Sequence, residues 1–478
     1  MSIVCILLPI VFGALIPIIG FKSRRSREIY TMAVVLATSV LAIGMILNKD
    51  YELLTVFQLT SKFSVSFRLD GLGSVFAMLV SALWPFATLY AFEYMDGEER
   101  CNTFFGFYTI SFGVSLGIAF ANNMITLYLF YELLTIVTLP LIMHKHDSSS
   151  FAAGWKYLIY SIGGATLSFI GIILFDVNGG SMIFLRGGGW NGLPTPQFFA
   201  AFLFCFFGFG VKAAIFPLHG WLPTAGIAPT PVTALLHAVA VVKTGCFAII
   251  RVAYYSFGMK NLHGSRAADI ALCFVIFTIV YGSTMAYKET HLKRRLAYST
   301  ISNLSYILFG ALLFTPEGLT GSLLHLLFHG VMKIPLFFVV GILNVRAQKY
   351  YSTELEGIGL RMPKTFAAFT VASLALTGVP PLCGFVSKFA LAEAAVAEAT
   401  PLAYAGIAAL LISAVLTAAY LLNMLIDAFF PAADYDAAAV KDAKDPNWYM
   451  VLPIVVFAIA IIVLGLKSGL VINFVSVL

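Results

Sequence analysis

The sequence predicts an all-α polytopic membrane protein, and three observations carry the prediction. Hydrophobic residues fill 60% of the 478 positions and charged residues only 11%, about half the charge of a soluble domain; mean hydropathy is +0.93. Apolar runs of about 20 residues, the length that crosses a hydrocarbon layer, recur about 14 times between charged, Gly-rich or Pro-rich breaks. The alternation of polar and apolar residues that marks a membrane β-barrel is absent.

In order, the runs fall near 2–21, 29–47, 71–94, 102–121, 123–143, 154–175, 198–226, 231–253, 268–286, 294–314, 318–343, 365–394, 402–430 and 449–473. The first, MSIVCILLPIVFGALIPIIG, has neither a basic leader nor a small-residue cleavage site, so it reads as a span and not as a signal peptide. Polar stretches near 48–70, 176–197, 344–364 and 431–447 are loop-sized. The last contains DYDAAAVKDAKD, a solvated acidic loop or, less simply, a cap on a partner subunit.

The net charge of +6 has a topological account. Odd-numbered loops are the basic ones: Lys22, Arg24, Arg25 and Arg27 follow the first run, Lys145 the fifth, and Lys288, Lys293, Arg294 and Arg295 the ninth. Arg346, Lys349, Arg361 and Lys364 follow the eleventh, and Lys441 and Lys444 the thirteenth. Even-numbered loops hold Lys49, Lys62, Arg68, Arg186, Lys260 and Arg266. The positive-inside rule then puts the odd loops in the cytoplasm and both termini outside, in what reads as a bacterial or archaeal cytoplasmic membrane. The charge calls for a lipid bilayer, not for nucleic acid. Cysteines at 5, 101, 205, 246, 273 and 383 form no CxxC pair, and no GxGxxG or Walker motif is present. No cofactor, metal or catalytic redox site is predicted in this chain.

Several titratable residues lie inside these runs, where a charge costs about 2.5–3.5 kcal/mol on insertion scales. Glu132 sits in LYLFYELLTIVTLPLIM, Lys212 in FFGFGVKAAIFPLHGW, and His237 and Lys243 in LLHAVAVVKTGCFAIIRV. His325, His329 and Lys333 sit in LLHLLFHGVMKIPLFF, and Lys388 in GVPPLCGFVSKFALAE. The i, i+4, i+8 spacing of His325, His329 and Lys333 puts them on one helix face. His237 and Lys243 are six apart, roughly 120° around a continuous helix. Glu132 is the one deep carboxylate, and a Glu–Lys pair is the natural way to hold it. Any one of these groups alone reads equally well as an interhelical hydrogen bond. As a set they read as a proton relay, because buried lysine and histidine both cycle between charge states.

Two runs are interrupted by proline: AIFPLHGWLP around Pro217, and TGVPPLCGFVS around Pro380 and Pro381. Proline removes a backbone donor, so each helix should break there. Discontinuous helices in two halves mark inverted-repeat transporters. Pro217-Leu218-His219-Gly220-Trp221 and Pro381-Leu382-Cys383-Gly384-Phe385 share the pattern Pro-Leu-x-Gly-aromatic, each beside an intramembrane lysine. The chain is accordingly divided into 1–101 (three N-terminal helices), 102–253 (first five-helix repeat), 254–430 (second five-helix repeat) and 431–478 (acidic loop and last helix).

These motifs resemble the antiporter-like subunits shared by respiratory complex I, Mrp-type sodium/proton antiporters and membrane-bound hydrogenases. LYLFYELLTI, KAAIFPLHGWLPTAGIAPTPVTALLHAVAVVKTG, HLKRRLAYSTISNLSYI, LLHLLFHGVMKIPLFF and TGVPPLCGFVSKF carry the resemblance, from about Asp70 to Asp427. It implies 14 transmembrane helices with two inverted five-helix repeats, each containing a Pro-broken helix. It implies that Glu132 on the fifth helix pairs with Lys212 on a broken seventh, and that Lys243 is the central lysine of the eighth. It makes His329 and Lys333 the polar positions of a broken eleventh helix, with His325 a turn earlier. Lys388 becomes the terminal charged position of the twelfth, where some members carry glutamate. Several members have histidine where this chain has Asn303, which cannot titrate; a relay here has to bridge that point by water or through the His329 region.

Three readings follow. The first is an ion-translocating subunit of a multisubunit energy-converting complex, with neighbouring antiporter-like subunits as partners and protons, or sodium for some of them, as the ion. The second is a stand-alone secondary cation/proton antiporter. The third is a membrane scaffold for a redox arm with no ion path.

Overall fold

A computed structural model describes residues 1–58, 60, 63–190, 192–432, 435 and 437–476; Lys62, Asp434 and Asp436, singled out in the loops above, lie outside them. The chain starts with α1 (Ser2–Ile19) and α2 (Arg24–Leu47). The first polar stretch then folds as an antiparallel hairpin, β1 (Leu54–Gln58) and β2 (Ser64–Phe67), with an irregularity between Thr55 and Phe57. Composition alone reads this segment as loop. Next come α3 (Gly71–Tyr94), α4 (Cys101–Ala119), α5 (Met124–Ile142), α6 (Ser148–Val177) and α7 (Pro196–Gly210). Short polar side chains start several of them: Asp70 accepts from the amide of Gly73 at 2.8 Å, Asn123 from Thr126 at 2.7 Å, and Thr195 precedes a proline at the first helical position, as helix starts favour.

After α7 the chain leaves helical geometry through 211–220 and resumes as the short α8 (Trp221–Ala225), the break predicted at Pro217. The run predicted at 231–253 departs from expectation. It forms α9 (Thr230–Ala238) and α10 (Val241–Val252), separated at Val239 and Ala240. The amides of both these residues reach back to the carbonyl of Leu235. No proline or glycine marks this interruption, and the 120° relation between His237 and Lys243, which assumed one helix, does not hold. A π-helical turn (253–258) and α11 (Met259–Leu262) follow.

The second half contains α12 (Arg266–Lys288), α13 (Leu292–Leu312) and α14 (Pro316–Arg346), then α15 (Ile358–Arg361), α16 (Pro363–Thr377) and α17 (Cys383–Glu398). It closes with α18 (Pro401–Phe429), α19 (Trp448–Leu466) and α20 (Ser468–Ser476). The break between α16 and α17 falls at Pro380 and Pro381, as predicted. The break implied for the eleventh helix is not present: α14 is continuous through Pro335. One proline removes one hydrogen bond, which a helix packed on all sides carries as a local distortion.

Eleven helices among the described residues are long and apolar enough to cross a membrane, so the chain is a mostly helical, multi-pass membrane protein. The predicted runs at 198–226, 294–314 and 365–394 are helical too, but two are broken and α13 carries Lys293, Arg294 and Arg295 in its first turn. Burial is uneven. The α9–α11 stretch and α14 are enclosed along nearly their whole length, whereas α1, α6, α18 and α19 have fewer than half of their residues buried. The two most enclosed segments carry most of the predicted charges.

Gly384 explains one element of the repeated Pro-Leu-x-Gly motif: a Cβ there would overlap the carbonyl oxygen of Ala375 on α16. Gly384→Ala is expected to destabilise the protein by about 1–3 kcal/mol, the usual cost of overpacking. An unchanged thermal midpoint in detergent would contradict that contact.

Candidate functional site

The break after α7 puts Lys212 where no regular helix holds it, and its side chain is fully buried. The ammonium donates to the carbonyl oxygen of Tyr131 on α5 and lies 3.5 Å from the centre of the Tyr131 ring. The Glu132 carboxylate stands 4.0 Å away, with a quarter of its side chain exposed on the flank of α5 between Leu129 and Ile136. Trp221 on α8 spans the break and donates from Nε1 to the carbonyl of Val211 at 2.7 Å. A carbonyl freed by the break is thereby satisfied, as a bilayer interior requires.

Lys243, in the first turn of α10, sends its ammonium to the carbonyl oxygen of Leu326 on α14. That approach depends on Gly330: a Cβ at 330 would sit 2.7 Å from Lys243 Nζ. On α14 the predicted polar face is present. The rings of His325 and His329 are 6.0 Å apart, and His329 is within electrostatic reach of Lys243, Lys333, His325 and His237. Phe337 lies between His237 and Lys333, 4.8 Å from the imidazole centre and 5.9 Å from the ammonium. Among the described residues, the side-chain nitrogens of His237, His329 and Lys333 are buried without a hydrogen-bond partner.

At the far end, His325 Nδ1 is 3.0 Å from Ser387 Oγ on α17. One residue on, Lys388 donates to the carbonyls of Leu376 and Thr377 at 2.7 and 3.1 Å. Those carbonyls end α16 at the Pro380–Pro381 break, so the cation sits at a helix C-terminus, where the helix dipole favours it. All eight predicted residues thus fall into three groups, around Lys212, Lys243 and Lys388. Electrostatic reach links the second and third, since both Lys243 and Lys388 act on His325.

Sequence reasoning missed two features nearby. Arg251, at the end of α10 and eight residues beyond Lys243, is 1% exposed and engages both carboxylate oxygens of Asp70, the cap of α3. The rings of Phe184, Phe247 and Tyr255 surround its guanidinium at 4.9–5.3 Å. Its i+8 relation to Lys243 was visible, but a basic residue closing an apolar run reads as a span end. The second is a cavity of about 810 Å³ beside α8 and the start of α13, lined by Lys145, Lys156, Lys293, Arg294 and Glu98. Lys293 reaches the carbonyl of Ala228 there at 3.0 Å.

Residues 121–417 match the family described as NADH:quinone oxidoreductase/Mrp antiporter, transmembrane, and residues 57–105 match the N-terminus of complex I NADH-ubiquinone oxidoreductase chain 5. The chain is 30% identical over 472 residues to a chain 4 of the NAD(P)H-quinone oxidoreductase of Picosynechococcus sp., covering 95% of this chain and 86% of that one. Its fold is similar to a chain in the Mrp complex of Dietzia sp. (TM-score 0.87, 19% identity, covering 99% and 96% of the two chains). It is also similar to one in an archaeal membrane-bound sulfane sulfur reductase (TM-score 0.88, 21% identity, 99% and 96%).

Asp70→Ala would leave the Arg251 guanidinium buried and unpaired. Because Asp70 is itself partly exposed, the expected loss lies at the low end for a broken buried pair, about 3 kcal/mol. Thermal unfolding of the variant against Asp70→Glu measures it.

Proposed function

This chain belongs to the NADH:quinone oxidoreductase/Mrp antiporter transmembrane family, and from that premise we propose that it is an ion-translocating subunit of a multisubunit energy-converting complex. It moves protons across a cytoplasmic membrane, its basic loops facing the cytoplasm and both termini outside. Its partners are other membrane subunits, neighbouring antiporter-like ones among them, and electron-carrying cofactors reside in those partners. The observation that carries this reading is the succession of titratable side chains inside the apolar segments, Glu132, Lys212, Lys243, His237, His329, Lys333, His325 and Lys388, of which all but Glu132 and Lys388 are fully buried and five lie on the two most enclosed segments. The eleven long apolar helices, together with α7–α8, α13 and α16–α17, make up fourteen spans in this reading. Residues 102–253 and 254–430 form two inverted five-helix repeats, each with a Pro-broken helix at Pro217 or at Pro380–Pro381.

Protons enter from the basic cavity beside Lys293, reach Lys243, and pass along His329, Lys333 and His325 to Lys388 and the outside. Water bridges the nitrogens of His237, His329 and Lys333 that the protein leaves without partners, since buried polar groups need one or the other. Lys212 is the gate. Paired with Glu132, it leaves Lys243 free to hold a proton. When a neighbouring subunit draws Glu132 away, the freed ammonium repels the charge on Lys243 and drives its proton onward. The flank position of Glu132, with a quarter of its side chain exposed, supports that role, because a carboxylate there is within a neighbour's reach.

Two measurements test the reading. Lys243→Ala in the reconstituted complex is expected to abolish proton pumping while assembly on a native gel stays intact; pumping at the normal rate would overturn the scheme, and a lone monomer or homo-oligomer on that gel would favour the stand-alone antiporter. Gly330→Ala, which pushes on the ends of the Lys243 and Leu79 side chains, is expected to slow transport by about tenfold or more, as misplacement of a reacting group does.

A further inference from the structure

The second half of the chain holds a buried hydroxyl cluster that the relay does not use. Ser283 on α12, Ser302 on α13 and Ser413 on α18 meet out of contact with solvent. Ser302 Oγ lies 2.8 Å from Ser283 Oγ and 3.0 Å from Ser413 Oγ, and those two are 2.5 Å apart. Ser302 Oγ is also 2.9 Å from the carbonyl oxygen of Ile279. Three hydroxyl protons face four contacts, so no single arrangement fills them all, and hydroxyl rotation exchanges one arrangement for another.

The cluster extends both ways. Toward the basic loops, the Tyr420 hydroxyl donates to Ser299 Oγ at 2.6 Å, one turn from Ser302, and stands 3.4 Å from Thr417 Oγ1, one turn from Ser413. Buried Arg295, in the basic first turn of α13, donates to the Tyr420 carbonyl at 3.3 Å. Toward the relay, the Tyr306 hydroxyl interacts with Ser413 and donates to the carbonyl of Leu410 at 3.2 Å. Its ring stacks on His325 at 5.3 Å and lies 5.3 Å from the Lys388 ammonium. Hydroxyls between membrane helices ordinarily serve as glue. This set differs in having more acceptors than protons and in ending at Tyr306, whose ring lies against two relay groups. It also runs alongside Asn303, the non-titrating position, whose Oδ1 is buried without a partner among the described residues.

We propose that Tyr420, Ser299, Ser302, Ser283, Ser413 and Tyr306 form a second proton inlet, leading from the basic-loop face to His325 and Lys388 and bypassing Asn303. The proposal rests on the relay reading above. Within each hydrogen-bonded group an oxygen accepts a proton from one side and releases its own to the next, and a water molecule carries it between Ser299 and Ser302 and between Tyr306 and His325; one proton arrives at the relay for each one taken up, and rotation of the hydroxyls resets the line.

The test is proton transport by the intact complex in vesicles. Tyr420→Phe and Ser302→Ala are each expected to lower the rate by roughly half, as closing one of two inlets does, with normal assembly, and Ser302→Thr is expected to restore it. Should Ser302→Ala fail to assemble, Tyr420→Phe, which removes only an oxygen, decides. Wild-type rates in Tyr420→Phe and Ser302→Ala, or a Ser302→Thr rate as low as that of Ser302→Ala, would overturn the inlet. Lys388→Ala separates the two ideas: if it pumps normally the relay itself fails, and if it is dead while the hydroxyl variants are normal, only the inlet fails.

Discussion

The whole structure turns on what holds an ammonium inside the apolar interior of the protein. Lys212, Lys243 and Lys388 use the same device: each reaches a backbone carbonyl on a neighbouring helix, and none makes a close carboxylate pair. A carbonyl dipole stabilises a cation without fixing its charge state, whereas a tight buried carboxylate pair would lock the lysine protonated. The arrangement costs stability, because each such carbonyl must be available at a side-chain position. The chain supplies them by ending helices early, as at Leu376 and Thr377, or by leaving out a side chain, as at Gly330.

The breaks therefore do two things at once. The one at Pro380–Pro381 frees the main-chain groups that hold Lys388, and those before α10 and α17 let these helices come close to what they must touch. The interruption at Val239 and Ala240 belongs to the same set although no proline announces it. It turns the His237 and Lys243 side chains independently, one toward Phe337 and the other toward Leu326.

Much of this was legible in the residues. Apolar runs located the helices because a bilayer admits few other solutions. Prolines 217, 380 and 381 located two breaks, and the four-residue spacing on α14 located its polar face. What stayed hidden depends on tertiary contact. The split at Val239 and Ala240 involves residues that are ordinary in a helix. The resemblance implied a broken eleventh helix, and α14 instead runs unbroken through Pro335. Arg251 looked like a terminus until Asp70, 181 residues away in sequence, came to meet it. The serines of the second half carry no periodic signal and only their convergence on three helices sets them apart.

The position of Glu132 on the flank of α5 has a wider consequence. A polypeptide lying against that flank would set the local polarity around the carboxylate, and the electrical behaviour of the chain would then be partly written in another gene product. Exchanging one neighbour for another would retune it without altering a single residue of its own, which is how one scaffold can be reused in machines driven by different chemistry.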